Sequence, residues 1–372
     1  MDSTNERKKY SSIPCMRFSL LGNLVDFKEL CNIDDATTTI INYVYKKSGD
    51  SPLLLAARYG HKDLLEFLLR NGVDMEHKNL DGKRALHEAC FSGCLKCVEI
   101  LLEQNVVVDP LKHGDWTPLM IASTHGYVDI VKKLIQYGAN VQRLNKDGWN
   151  AFHLAARKGH IKVLECLLED CMTLWDTVSK NGRTPLHTAC MHGKAKTVEF
   201  LLQSAHYESD MKDSCGTTPF MDASRFNFVD ILDLLCRKQN VDFNVVDSIG
   251  RNALHVACQS GAVEAVQYLV SECRFSVNHP CQSSLLKPLH IASKEGHIKV
   301  VRYLVSSGAD VNAIDKSNRT SLHLAAASGK PEVVQYFVDS VNVDCNMLDM
   351  NGKIALDLAL NFDCKMILSS IS

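Results

Sequence analysis

Ten near-copies of one tetrapeptide recur every 33 to 35 residues and organise almost the whole chain. They read Ser51-Pro52-Leu53-Leu54, Arg84-Ala85-Leu86-His87, Thr117-Pro118-Leu119-Met120, Asn150-Ala151-Phe152-His153 and Thr184-Pro185-Leu186-His187. Thr218-Pro219-Phe220-Met221, Asn252-Ala253-Leu254-His255, Lys287-Pro288-Leu289-His290, Thr320-Ser321-Leu322-His323 and Ile354-Ala355-Leu356-Asp357 complete the series. A repeat of this length is one supersecondary unit, and a single unit cannot bury its own apolar face. Each unit must stack on its neighbours, so a length of 372 residues need not mean two or three globular domains.

The fourth copy shows how the unit is built. Asn145-Lys146-Asp147-Gly148 is turn chemistry, with Gly148 supplying backbone freedom. Ala151 begins a short helix whose Phe152, Ala155 and Ala156 face inward. Gly159-His160 breaks it, and Val163, Leu164, Leu167 and Leu168 form the apolar stripe of a second helix. Small residues on the first helix and bulky ones on the second make such a stack curve, with tips and first helices on the concave side. The recurring His87, His153, His187, His255, His290 and His323 fit a structural bridge between backbone groups better than a ligand.

An apolar content of 46% is ample for a packed spine, and a net charge of −2 gives no overall pull toward nucleic acid or anionic membrane. The 15 cysteines follow the repeat: Cys90, Cys190 and Cys258 share one helix position where other copies carry Ala or Ser. Without a leader-like or membrane-spanning apolar run, a reduced, monomeric, intracellular protein is expected, cytoplasmic with the nucleus as a second compartment. Cys94-Leu95-Lys96-Cys97 is the best metal-like string, but no second ligand pair accompanies it. No phosphate loop, nucleophile elbow or kinase motif is present, so neither an enzyme, a metal nor a cofactor is expected.

Positions not needed for packing say more. The residue before each tetrapeptide is expected to point from the turn tip, and in two consecutive copies it is Trp116 and Trp149. Around them lie Lys83, Arg183 and the turn residues His113, Lys146 and Lys180, with His125, Arg157, Lys158 and His192 on the first helices. Aromatics beside arginine are the common composition of interface hot spots, so these residues form a candidate partner-binding patch. The alternative is that the tryptophans stiffen the stack. Bases could also stack on such rings, but Asp81, Asp115, Asp147 and Glu165 interrupt the basic stripe, which argues against nucleic acid.

The period and the T-P-L-H-x-A pattern resemble the ankyrin repeat family. That resemblance implies an all-α repeat solenoid of helix–turn–helix units joined by β-turn tips. The expected layout is a disordered segment 1–9, N-terminal capping helices over 10–47, and about ten repeats over 48–372. Strings such as Asp115-Trp116-Thr117-Pro118-Leu119-Met120, Asn145-Lys146-Asp147-Gly148-Trp149-Asn150 and Met191-His192-Gly193 further resemble the vertebrate ankyrin-repeat cofactors of alanyl-tRNA synthetase. This implies binding to the synthetase and capture of misactivated serine on lysine side chains, which limits serine misincorporation. Lys146 matches one acceptor lysine of that group, whereas the other two positions hold His113 and Asp176, with Lys112 and Lys180 nearby as weaker candidates. The alternative is a generic scaffold that binds another protein through the same surface.

Overall fold

The computed structural model describes residues 9–32, 37–204, 207, 211–238, 241–341 and 343–370. Among these residues every regular element is helical, apart from one isolated antiparallel bridge between Lys112 and Trp116. The chain divides into two compact units, 1–180 and 181–372. No described helix is long and apolar enough to cross a membrane.

Each repeat begins where the sequence places it. In the third copy Thr117 is extended, its hydroxyl accepts the Met120 N–H at 3.2 Å, and Pro118 occupies the first turn. A side-chain cap and an N1 proline together fix a helix start. Gly126, at φ 78°, closes the helix by donating to Ala122 O. Between those signals Pro118 to Ser123 are all buried, because a first helix is flanked on both sides. The second helix, Val128–Gln136, is amphipathic instead: Ile130, Val131 and Leu134 are buried while Asp129 and Lys132 face out.

The recurring histidine joins one repeat to the next. The Arg84 N–H donates to His87 Nδ1 at 3.1 Å, which leaves Nε2–H to donate to the Trp116 carbonyl at 3.1 Å. His187 and His290 repeat this with the Thr217 and Ala313 carbonyls. Burial holds His87, His187 and His255 down to about 4, so each ring is neutral at pH 7. The turn tips are tied by one backbone bond per repeat, His113 N to Asp81 O and Lys146 N to Gly114 O, both 2.9 Å. In the second unit Ser214 N to Asn181 O and Ser248 N to Cys215 O, again 2.9 Å, continue the same rule.

The N-terminal region, which lacks the tetrapeptide, is also helical. Of the segment 1–9, residues 1–8 lie outside the described residues, and Lys9 pairs with the buried Asp50 at 3.4 Å. The string Leu20-Leu21-Gly22-Asn23 is the end of one helix, Pro14–Leu21, and the turn into the next, Leu24–Asn32; a third, Thr37–Ile41, follows. This pair has repeat geometry, with Pro14 in the first turn and Gly22 left-handed at φ 67°. At the other end the final helix is Phe362–Ser369.

Candidate functional site

The position before each tetrapeptide does not point freely from the tip. At Asp50, Trp149, Arg183 and Arg251 it folds back along its own first helix and meets the residue eight positions on. Trp116 and Trp149 are both half-buried. Arg157 lies 5.3 Å over the Trp149 ring, which also stacks near His153 at 6.4 Å. Arg183 contacts Met191 Sδ at 3.5 Å, and Arg251 reaches Gln259. Asp50, at the same position, is only 2% exposed and sits 3.0 Å from Arg58, eight residues on. The expectation that this position has no packing duty is therefore corrected: a residue on a tight turn aims along the helix it precedes.

The neighbouring cations are largely occupied as well. Lys83 lies 3.8 Å from both Asp81 and Glu88. Arg183, in the second unit, pairs with the fully buried Asp222, and its Nε lies 3.8 Å from Asp213. His192 caps the helix Pro185–Met191 in that same unit. His113, Lys146, Arg157, Lys158, Asp176 and Lys180 are exposed in the first unit. The patch drawn from the sequence is thus split, with Arg183 and His192 in one unit and the remainder in the other.

Within the first unit the structure assembles a more specific feature. A recess of about 270 Å³ opens between two successive repeats. Its walls are Phe91, Trp116, Ile121 and His125, and its polar groups come from Lys83, Glu88 and Lys112. The aromatic wall is built by contact: His125 meets Phe91 edge-on at 5.2 Å and stacks on Tyr127 at 5.6 Å. Its Nδ1–H donates to Ile121 O at 2.9 Å, which locks the ring. Lys112 Nζ sits 4.9 Å from the centre of the Trp116 ring.

Charge in the recess favours an anion. Glu88 is 2% exposed, and its carboxylate is already met by Arg58 at 2.8 Å and by Lys83. His87 is neutral and Lys83 is shared between Asp81 and Glu88, which leaves Lys112 as the cation facing the opening. Burial, with Lys83 adding to it, pushes the Lys112 amine below the usual lysine value. Its volume is at the lower edge of small-molecule clefts, ~300–1,000 Å³. One large side chain of a partner, flanked by a carboxylate, fits both its size and its charge.

Sequence reasoning found Lys83, Trp116 and His125 but missed Glu88, Phe91 and Arg58. The available signal was Glu88 itself, an acid on a helix whose other residues, His87 apart, are small or apolar. Among the candidate lysines, Lys112 and not Lys146 enters the recess, and Arg157 rather than Lys146 lies over Trp149. Lys146 and Lys180 spend their backbone N–H groups on tip-to-tip bonds with their side chains exposed. No cluster of three or more metal-ligating side chains is found among the described residues.

Relatives share segments of this architecture. Ankyrin repeat and SOCS box protein 11 of Homo sapiens is 37% identical over 97 residues, 26% of this chain and 29% of that protein. NF-kappa-B inhibitor alpha of Mus musculus is 35% identical over 97 residues, 24% of this chain and 31% of that protein. Protein phosphatase 1 regulatory subunit 27 of Homo sapiens is 38% identical over 79 residues, 21% of this chain and 51% of that protein. The matched segments thus span about a third to a half of these relatives. The family described as Ankyrin repeats (3 copies) matches residues 18–112, 107–174, 171–247, 238–315 and 289–370 in overlapping blocks. With that coverage, and with capped helix pairs joined by histidine bridges and stacked tips, the chain belongs to the ankyrin repeat family.

Proposed function

We propose that this protein is a non-catalytic binding scaffold that seats an anchor side chain of an acidic partner in the Phe91/Trp116/His125 recess. The observation that carries the reading is a preformed aromatic pocket whose only buried acid is already neutralised by Arg58 and Lys83. Buried aromatic anchors dominate interface energies, each worth ~2 kcal/mol or more on truncation. Trp116→Ala is therefore expected to weaken partner binding by roughly 30-fold or more. Trp149→Ala, outside the recess, should have a smaller effect. Titration calorimetry, with circular dichroism as a folding control, makes the comparison. Equal losses in both variants, or none in Trp116→Ala, would remove the recess from the interface.

The finer reading is that the partner is alanyl-tRNA synthetase, by resemblance to ankyrin repeat domain-containing protein 16, and the observation that favours it is Lys112. An acyl-adenylate is attacked by a neutral amine, which loses a proton as AMP leaves and an amide forms. An amine lowered by burial and by Lys83 has more of that neutral form than a solvated lysine. The amide is stable, so the chain would be a stoichiometric acceptor. Incubation with purified synthetase, serine and ATP, followed by peptide mapping, is expected to place serine on Lys112. Adducts on Lys146 alone would return the acceptor role to the position the resemblance picks. Adducts on neither, with no measurable binding to the synthetase, would leave the general scaffold reading.

A further inference from the structure

Cys94 and Cys97 stand apart from the other thiols. Their sulfurs are 3.1 Å apart, against 3.9 Å for the next pair, Cys236 and Cys273. The reason is the helix start. Cys94 is the N-cap of Leu95–Glu103, and its extended backbone, φ −82° and ψ 91°, swings the side chain over the first turn. Such a side chain ordinarily reaches the third helical residue, and here that residue is Cys97. Cys94 is half-exposed, its sulfur 3.8 Å from Gly60 O, while Cys97 is fully buried.

We propose that Cys94 and Cys97 form a redox-active dithiol, a covalent modification site for low-molecular-weight disulfides. The exposed sulfur of Cys94 attacks an incoming disulfide R–S–S–R, forms Cys94–S–S–R and expels one thiolate. Cys97 then attacks the Cys94 sulfur, closes the Cys94–Cys97 bond and expels the second thiolate. The pair loses two electrons and two protons, and the small disulfide is reduced to two thiols. The order of attack follows from burial, which keeps the Cys97 thiol protonated well above the usual thiol range, with the Cys94 sulfur beside it adding to this. Once Cys94 is tied into the mixed disulfide that second influence is gone, and the contact between the two sulfurs places Cys97 for the closing attack. A bond at this place needs little backbone change, because the two sulfurs already touch and a disulfide requires ~2.05 Å between them.

The sequence supplies a direct readout, because Lys96 lies between the two cysteines. Trypsin separates residues 85–96 from residues 97–112 in the reduced chain, whereas the bridged chain keeps them linked and lighter by two hydrogens. The full chain is equilibrated with oxidised glutathione, alkylated under acid quench, digested and weighed. The expected result is the linked pair as the major form. It should persist in Cys90→Ala, since Cys90 shares the first peptide. Cys97→Ser should instead stop at a glutathione adduct on Cys94. Circular dichroism confirms that each variant is folded. An unmodified pair, a lasting mixed disulfide in the unaltered chain, or loss of the link in folded Cys90→Ala would each overturn the proposal.

Discussion

A histidine that is fully buried and neutral is an unusual structural component, and its strength lies in having one donor and one acceptor on opposite edges. His87 takes the Arg84 N–H on one side and gives its own N–H to the Trp116 carbonyl on the other. Removing the ring leaves the Arg84 N–H without its partner and takes one of two donors from the Trp116 carbonyl, which keeps the Lys112 N–H; an unmet group of this kind costs ~1–3 kcal/mol. His87→Ala is expected to destabilise the chain by about 1–3 kcal/mol on that basis, measured by urea unfolding. A loss below ~0.5 kcal/mol, the range of a surface change, would show that water replaces the ring. This role was legible in the sequence because six histidines share one phase of the period. The direction of Trp116 was not legible. Its ring is met by Lys112 Nζ, 4.9 Å from its centre, a contact the tetrapeptide pattern does not encode. The same holds for Lys112 and Lys146. The bridge from Lys112 N–H to Trp116 O turns the former into the recess, and a tip bond leaves the latter outside.

At the level of the element, helix starts and stops were read almost wholly from caps. Thr117, Asn150, Thr184, Thr218 and Asn252 each accept a backbone N–H three residues on. The N-terminal pair, read from the sequence as capping helices, starts without the tetrapeptide: Ile13-Pro14-Cys15-Met16 retains the proline and lacks the capping hydroxyl, the Leu and the His. Proline in the first turn and a left-handed glycine at the end sufficed to make the same element. Glycines with similar backbone angles nevertheless carry different duties. Gly148 and Gly138 have φ of 77° and 87°, but a Cβ on Gly148 would sit 2.6 Å from Lys180 N, whereas one on Gly138 meets nothing within 4 Å. Both alanine variants incur left-handed strain of ~1 kcal/mol. Gly148→Ala adds a backbone clash that must open the tip-to-tip bond from Lys180 N to Asp147 O. It is expected to cost at least ~1 kcal/mol more than Gly138→Ala, compared by thermal unfolding. Equal costs would mean that the tips are not held in register by that bond.

Across the whole molecule the repeat copies not only a shape but a titration. His87, His187 and His255 are held near 4 by burial, and His290 is lowered for the same reason. In the unfolded chain each ring takes up its proton near 6.5. Below that pH the unfolded state binds protons that the folded state refuses, so stability falls as pH drops. The loss runs from about 6.5 down to about 4, where the folded rings themselves protonate and the slope ends. Within that window each of the three rings held near 4 contributes about 1.4 kcal/mol per pH unit, and His290 adds in the same direction. Asp50 pulls in the same direction in a lower window, because Arg58 and its hydrogen bonds hold its carboxyl below the usual range despite burial. Its contribution is present above about 3.9 and is lost only on further acidification. Asp222 opposes it slightly, since burial raises its carboxyl in spite of Arg183. Melting temperature is therefore expected to be level from pH 8 to about 7 and to fall steeply by pH 5, before most carboxylates titrate. Replacing His187 with Asn should lower stability at pH 7 and flatten the acid slope. A melting temperature unchanged between pH 7 and pH 5 would mean that the rings are not neutral bridges. Because near-zero net charge leaves little overall repulsion to titrate, the slope in this window reports the histidine bridges more than the charge balance of the chain.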